Sequence, residues 1–219
     1  MPQRFEPKTE ILPAAQRELW SQLAPAPLLS FVLYGGTAVG LHLGHRQSFD
    51  FDFFSAQPLD KQRLISAFNI FRNARTIQDA PDTLVIAPKL GDGAMRIAFF
   101  GAIGFGHVNA PMQTSDGVLL VASLEDLLAT KLKAILDRAE AKDYTDIAAI
   151  LRAGVSLRRG LGAFSAMFKS DPALPLRALG FFRDGDLPTL PRGLKDQLRA
   201  ARDMISDIPE VPIRPGLID

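Results

Sequence analysis

Apolar and polar positions follow two regimes along the chain, and the change comes at Ser123. Before it, short apolar runs are separated by turn residues, and residues 31–34, 83–87, 95–100 and 118–122 read as strands. Residues 47–54 alternate, which places Phe49, Phe51 and Phe53 on one face of a strand and Asp50 and Asp52 on the other. Residues 14–23 carry Leu19, Trp20 and Leu23 at helical spacing, and Pro25 and Pro27 stop that helix. A second helix is predicted over about 60–72, with Asp60 as its cap and Leu64, Ile65, Phe68 and Phe71 as its apolar stripe. Lys89-Leu90-Gly91-Asp92-Gly93 has hairpin chemistry. The run GAIGFG at 101–106 lacks the strand–helix context of a dinucleotide fingerprint and reads as a loop.

After Ser123 the pattern is helical. Ser123-Leu124-Glu125-Asp126 resembles a capping box opening a helix over 124–138. A second follows over 140–152, ended by Gly154, and shorter ones are predicted over 157–169, 173–182 and 193–206. The expected class is α+β: a mixed β-sheet with helices over 1–122, then an all-helical region over 123–219.

Composition narrows the function classes. The chain is 47% apolar and 22% charged, as an ordinary folded protein is. It has no cysteine, which removes disulfides, thiolate metal sites and cysteine nucleophiles, and suits a cytoplasmic location. The N-terminal MPQRFEPKTE has no signal-peptide core and no apolar run is long enough for a membrane span, so no membrane partner is expected. A net charge of +1 argues against a protein that coats nucleic acid by charge alone.

Asp50 and Asp52 are the first candidates for chemistry. Alternate carboxylates on a strand hold oxygens side by side, which suits Mg²⁺; the plainer reading is a solvated polar face. The aromatic face opposite demands burial, and a Gly35-Gly36-Thr37 turn lies upstream, so the metal reading is preferred. That turn can offer backbone N–H groups and a hydroxyl to phosphate at a helix start, or serve only as a tight turn with Thr37 as cap. Arg46 and Ser48 precede the aspartates, where an arginine can meet phosphate or carboxylate in bidentate fashion.

In the first long helix Lys131 falls within the apolar stripe, which is costly unless its ammonium reaches an anion or snorkels to the surface; Lys133 points to solvent. In the next helix Asp143 flanks the stripe of Tyr144, Ile147, Ala148 and Leu151, whereas Asp146 lies nearly opposite it and is expected to be solvated or capping. Lys142 reads as a surface lysine, and His42, His45 and His107 are not at metal-ligand spacing.

Taken together, Gly35-Gly36-Thr37, Arg46-x-Ser48-x-Asp50-x-Asp52, Lys131 and Lys142-Asp143-x-x-Asp146 resemble the AbiEii/AbiGii toxin branch of the polymerase-β-like nucleotidyltransferases. The likeness spans roughly residues 31–151, most closely in LGHRQSFDFDFF and ATKLKAILDRAEAKDYTDI. It implies a helical domain closing over the nucleotide and Mg²⁺-dependent transfer of a nucleoside monophosphate from an NTP to an acceptor. It further implies an RNA acceptor such as tRNA, and a cognate antitoxin. In those terms Asp50 and Asp52 are the metal ligands, Gly35, Gly36, Thr37, Arg46 and Ser48 meet the nucleotide, and Lys131 and Asp143 are the catalytic residues of the helical part. One departure stands out: where the superfamily often has a third carboxylate on a later strand, this chain has Ala98. Two other readings stay open: a degenerate member that binds nucleotide or a partner without turnover, and transfer to a small-molecule or protein hydroxyl.

Overall fold

Asp50–Phe54 forms a central strand of a mixed sheet. The structure is a computed structural model that describes residues 3–89 and 95–218. The strands are β1 (Arg4–Phe5), β2 (Val32–Tyr34), β3 (Asp50–Phe54), β4 (Ala74–Ala80), β5 (Thr83–Pro88), β6 (Arg96–Phe100), β7 (Met112–Thr114) and β8 (Leu120–Val121). They line up as β1-β7-β8-β2-β3-β6-β5-β4, with β3 antiparallel to β2 and parallel to β6. The helices are α1 (Ala14–Leu19), α2 (Pro25–Leu28), α3 (Gly35–Leu43), α4 (Lys61–Ala67), α5 (Leu124–Asp137), α6 (Ala141–Arg152), α7 (Leu157–Phe168), α8 (Ala173–Ala178) and α9 (Arg192–Asp203).

The alternation in β3 builds the core of the first unit. Phe51 and Phe53 are fully buried, and Phe53 stacks on Phe99 of β6 with ring centroids 5.3 Å apart. Phe31 and Phe68 meet Phe99 edge-on at 5.3 and 5.4 Å, so one aromatic cluster joins the sheet to the segments packed on it. Phe49 departs from the expected alternation. It is 52% exposed, because β3 begins only at Asp50 and the chain before it is not held in the sheet. Asp60 caps α4 as expected, its side chain accepting from Arg63 N at 3.0 Å, but Ile65 faces solvent and a 3₁₀ turn takes over from Asn69. The hairpin expected at 89–93 lies, beyond Lys89, outside the described residues.

Two compact units are present: Met1–Ser123 with Arg214–Asp219, and Leu124–Ile213. The expected division at 122/123 therefore needs a correction at the other end. The last six residues belong to the sheet unit, where Arg214 bridges His107 through reciprocal backbone hydrogen bonds of 3.0 and 2.8 Å. In the helical unit α5 packs against α6, α7 and α8, and α9 packs on α6. Gly160 of α7 lets Leu128 of α5 approach closely, since a Cβ there would collide with that side chain. Among the described residues no helix is long and apolar enough to cross a membrane.

Candidate functional site

The turn between β2 and α3 touches the aspartate row directly. Tyr34 ends β2 in register with Asp52 of β3, so Gly35 starts α3 immediately beside that carboxylate. Gly35 adopts φ +76°, and a Cβ on it would fall onto Asp52 Oδ2. One residue on, a Cβ on Gly36 would fall onto Arg46 Nη2 and lie 3.1 Å from Ser48 Oγ. Glycine is thus required twice for the backbone to come this close, and Gly35, Gly36, Arg46, Ser48 and Asp52 converge on one spot. The first backbone N–H groups of α3 have no partner inside the helix and carry its positive end.

Thr37 is used differently from the expectation. Its buried hydroxyl donates to the backbone carbonyl of Asp50 instead of capping α3, so it ties the helix to the strand. Asp50 and Asp52 are both half-buried. Asp50 has a neighbour that sequence reasoning missed: Arg96, its register partner on β6, donates from its backbone N at 3.1 Å, from Nε at 3.4 Å and from Nη2 at 3.2 Å. Only the pairing of β3 with β6 makes that contact visible. Among the described residues no group of three or more His, Cys, Asp or Glu side chains is arranged to hold a metal. Asp50 and Asp52 nonetheless offer the all-oxygen donor set that a hard cation accepts, with phosphate and water completing its shell.

In the helical unit Lys131 lies on the buried stripe of α5, and its anions come from the same unit. Its Nζ sits 2.7 Å from Asp143 Oδ1 and 2.7 Å from Asp146 Oδ2, with both carboxylates fully buried. The expectation of a solvated Asp146 is therefore wrong. Helix α6 buries nearly its whole circumference between α5 and α9, so a residue opposite the main stripe is still inside. Arg138 completes the cluster with Nε 2.8 Å from Asp143 Oδ2, a contact formed by the short turn between α5 and α6. Burial alone would push the Asp143 carboxyl up. The hydrogen bonds and charges of Arg138 and Lys131 outweigh that and hold it below its ordinary value of 3.8. Tyr144 next to it is pushed up to about 12 by burial and the carboxylates of Asp143 and Asp184. Lys133 and Lys142 lie at the surface, paired with Asp137 and Glu140.

The histidines play packing roles where their contacts are described. His42 stacks on Phe5 and lies 2.9 Å from the Ala122 carbonyl, and burial lowers its pKa. His107 is buried with Nδ1 3.0 Å from the Gly216 carbonyl.

The family model described as "Nucleotidyl transferase AbiEii toxin, Type IV TA system" matches residues 23–212. An uncharacterised protein of Aquifex aeolicus (strain VF5) is 31% identical over 124 residues, which is 56% of this chain and 58% of that protein. The chain thus matches little more than half the length of this curated relative. Among solved structures, a candidate nucleotidyltransferase from Helicobacter pylori is similar with a TM-score of 0.52 and 18% identity, over 86% of this chain and 92% of that one. JHP933 from Helicobacter pylori gives 0.50 and 18%, over 86% and 89%. At such identity the likeness is one of fold.

Proposed function

The chain belongs to the AbiEii nucleotidyl transferase toxin family of type IV toxin–antitoxin systems, and from that premise we propose that it moves a nucleoside monophosphate from an NTP to an acceptor hydroxyl. The acceptor we propose is an RNA such as tRNA, and the protein partner a cognate antitoxin. The observation that carries this reading is the close approach of Gly35 to Asp52 and of Gly36 to Arg46 and Ser48. That geometry brings the first backbone donors of α3, a guanidinium and the Asp52 carboxylate to one place, with Asp50 two residues away on the same face of β3, which suits a triphosphate and its counter-ion.

In the proposed reaction the acceptor oxygen bonds to the α-phosphorus while the α–β bridging bond breaks. Pyrophosphate leaves with the electron pair, and the acceptor proton passes to water. Arg46, Ser48 and the first turn of α3 would orient the β- and γ-phosphates and stabilise the charge that gathers there. Asp50 and Asp52 would hold Mg²⁺, which when bound neutralises phosphate charge. Incubating the protein with each labelled NTP, Mg²⁺ and total cell RNA should label RNA, and Asp52→Asn should abolish the signal. Labelling that persists at full strength in Asp52→Asn would remove the reading.

Two observations favour the degenerate alternative. Ala98 stands beside Asp52 where a third carboxylate would serve, and Arg96 holds both Asp50 oxygens. On that reading calorimetry detects Mg²⁺-dependent NTP binding while no pyrophosphate is released with any acceptor.

A further inference from the structure

The loop GAIGFG at 101–106 has no part in the site so far, yet it is fixed with unusual care. Gly101 N donates to the Asp82 carbonyl at 2.9 Å, Ala102 N to the Gln57 carbonyl at 2.8 Å and Ile103 N to the Ser55 carbonyl at 3.0 Å. Gly101 is pressed so closely on this neighbour that a Cβ would lie 2.6 Å from Leu59 N. Ala102 is held at φ +54°, a left-handed conformation that a residue with a Cβ keeps only when its surroundings impose it.

What this rigid loop delivers is Phe105. Its ring meets Tyr34 edge-on at 5.9 Å and Phe54 at 6.2 Å, Phe54 stacks on Tyr34 at 4.9 Å, and Phe100 of β6 stands edge-on to Phe54 at 5.3 Å. Phe54, Phe100 and Phe105 are each only partly buried, unlike Phe51, Phe53 and Phe99 on the core face. The position of this patch matters. Phe54 is two residues beyond Asp52 on the same face of β3, roughly 7 Å along the strand. Gly36, Arg46 and Ser48 lie at the opposite end of the row, on the Asp50 side.

We propose that Phe105, Phe54 and Phe100 form a stacking platform for the terminal nucleobase of the RNA acceptor. The inference rests on the proposed nucleotidyl transfer. An in-line displacement puts the attacking hydroxyl opposite the departing pyrophosphate. With the pyrophosphate at the Gly36–Arg46–Ser48 end, the acceptor enters from the Phe54 end, where partly exposed aromatic faces suit any base. The loop is fixed in advance, so stacking costs little ordering of the protein.

The test uses the full chain and two labelled single-stranded RNA hexamers, identical except that the last nucleotide carries adenine in one and is abasic in the other. The wild type is expected to bind the base-bearing end about 10-fold more tightly, from the loss of one stacked base. Phe105→Ala should erase that preference, Phe105→Trp should keep it, and NTP affinity and thermal stability should stay within about twofold and a few degrees of wild type. Equal binding of the two hexamers by the wild type overturns the proposal, as does a Phe105→Ala variant that loses NTP affinity while keeping the end preference. Labelled-nucleotide transfer is read in the same mixtures. Transfer by the wild type without end preference removes the platform alone. An end preference that Phe105→Ala erases supports the platform even where the hexamers themselves stay unlabelled, since the transfer reading is decided by labelling of total cell RNA.

Discussion

Ala98 lies in register with Asp52 on the adjacent parallel strand, so its methyl group occupies the position from which a third side chain would join the aspartate row. Ala98 is also nearly buried. An added carboxylate there would be both desolvated and beside a like charge, which disfavours its ionised form. Ala98→Asp is therefore expected to lower the melting temperature in EDTA. Mg²⁺ should raise it more in the variant than in the wild type, because a better metal site stabilises by mass action, by about 1.4 kcal/mol for each tenfold gain in affinity once the site is saturated. Differential scanning fluorimetry with and without Mg²⁺ measures this. Identical Mg²⁺ shifts in the two proteins would mean that position 98 does not face the metal.

The two glycines should tolerate alanine unequally. At Gly35 a side chain needs the left-handed conformation, at a cost of about 1–2 kcal/mol, and must also displace the Asp52 carboxylate, which is short and anchored in the sheet. At Gly36 the φ angle is ordinary and the obstacle is the far end of Arg46, a long side chain able to move. Gly35→Ala should abolish nucleotide binding, whereas Gly36→Ala should weaken it by roughly tenfold, about one charge-assisted hydrogen bond. Isothermal titration with NTP and Mg²⁺ separates the two. A Gly35→Ala protein with wild-type affinity would dissociate the turn from the site.

What the sequence made legible follows from where each signal resides. The aspartate row and the Phe51/Phe53 face are a local period-two pattern, and Lys131 on a buried stripe is a local helical one, so both are readable within a few residues. Strand β4 was not readable. Its ARTIQDA carries one isoleucine, it lies at the sheet edge with most side chains exposed, and its connection to β5 through Pro81-Asp82 lacks the Asn-Gly signature of a tight hairpin. Arg96 became a neighbour of Asp50 only through strand pairing 46 residues apart, which no local pattern encodes. The misplacing of Asp146 has a related cause. A stripe assumes one buried face, and α6 is enclosed on several.

Arg96 and a cation compete for the same oxygens of Asp50. The Arg96 side chain is more than half exposed, and exposed ion pairs contribute about 1 kcal/mol or less, so the arginine is readily displaced. Arg96→Ala should accordingly tighten binding of Mn²⁺ alone, measured by electron paramagnetic resonance without nucleotide, by up to about fivefold. Weaker Mn²⁺ binding in the variant would show instead that Arg96 holds Asp50 in its ligating position.

The buried cluster of the helical unit gives the strongest stability prediction and a pH dependence with a definite sign. Removing Lys131 leaves Asp143 and Asp146 as buried like charges, and breaking a buried ion pair from one side costs about 3–5 kcal/mol. Lys131→Met should therefore shift the urea midpoint strongly downward. Adding Asp143→Asn and Asp146→Asn to it should recover much of the loss, since the repulsion between the two buried carboxylates is then gone. The carboxyl of Asp143 is held below its ordinary 3.8 in the folded protein, so the unfolded chain takes up its proton first as acid is added. Its contribution is complete above about pH 5 and fades as pH falls through 3.8 and then through the lower folded value. Urea unfolding between pH 7 and pH 3 should show stability falling less steeply below about pH 5 in Asp143→Asn than in the wild type. Equal slopes would assign the acid sensitivity to other carboxylates and leave the Asp143 cluster without a part in it.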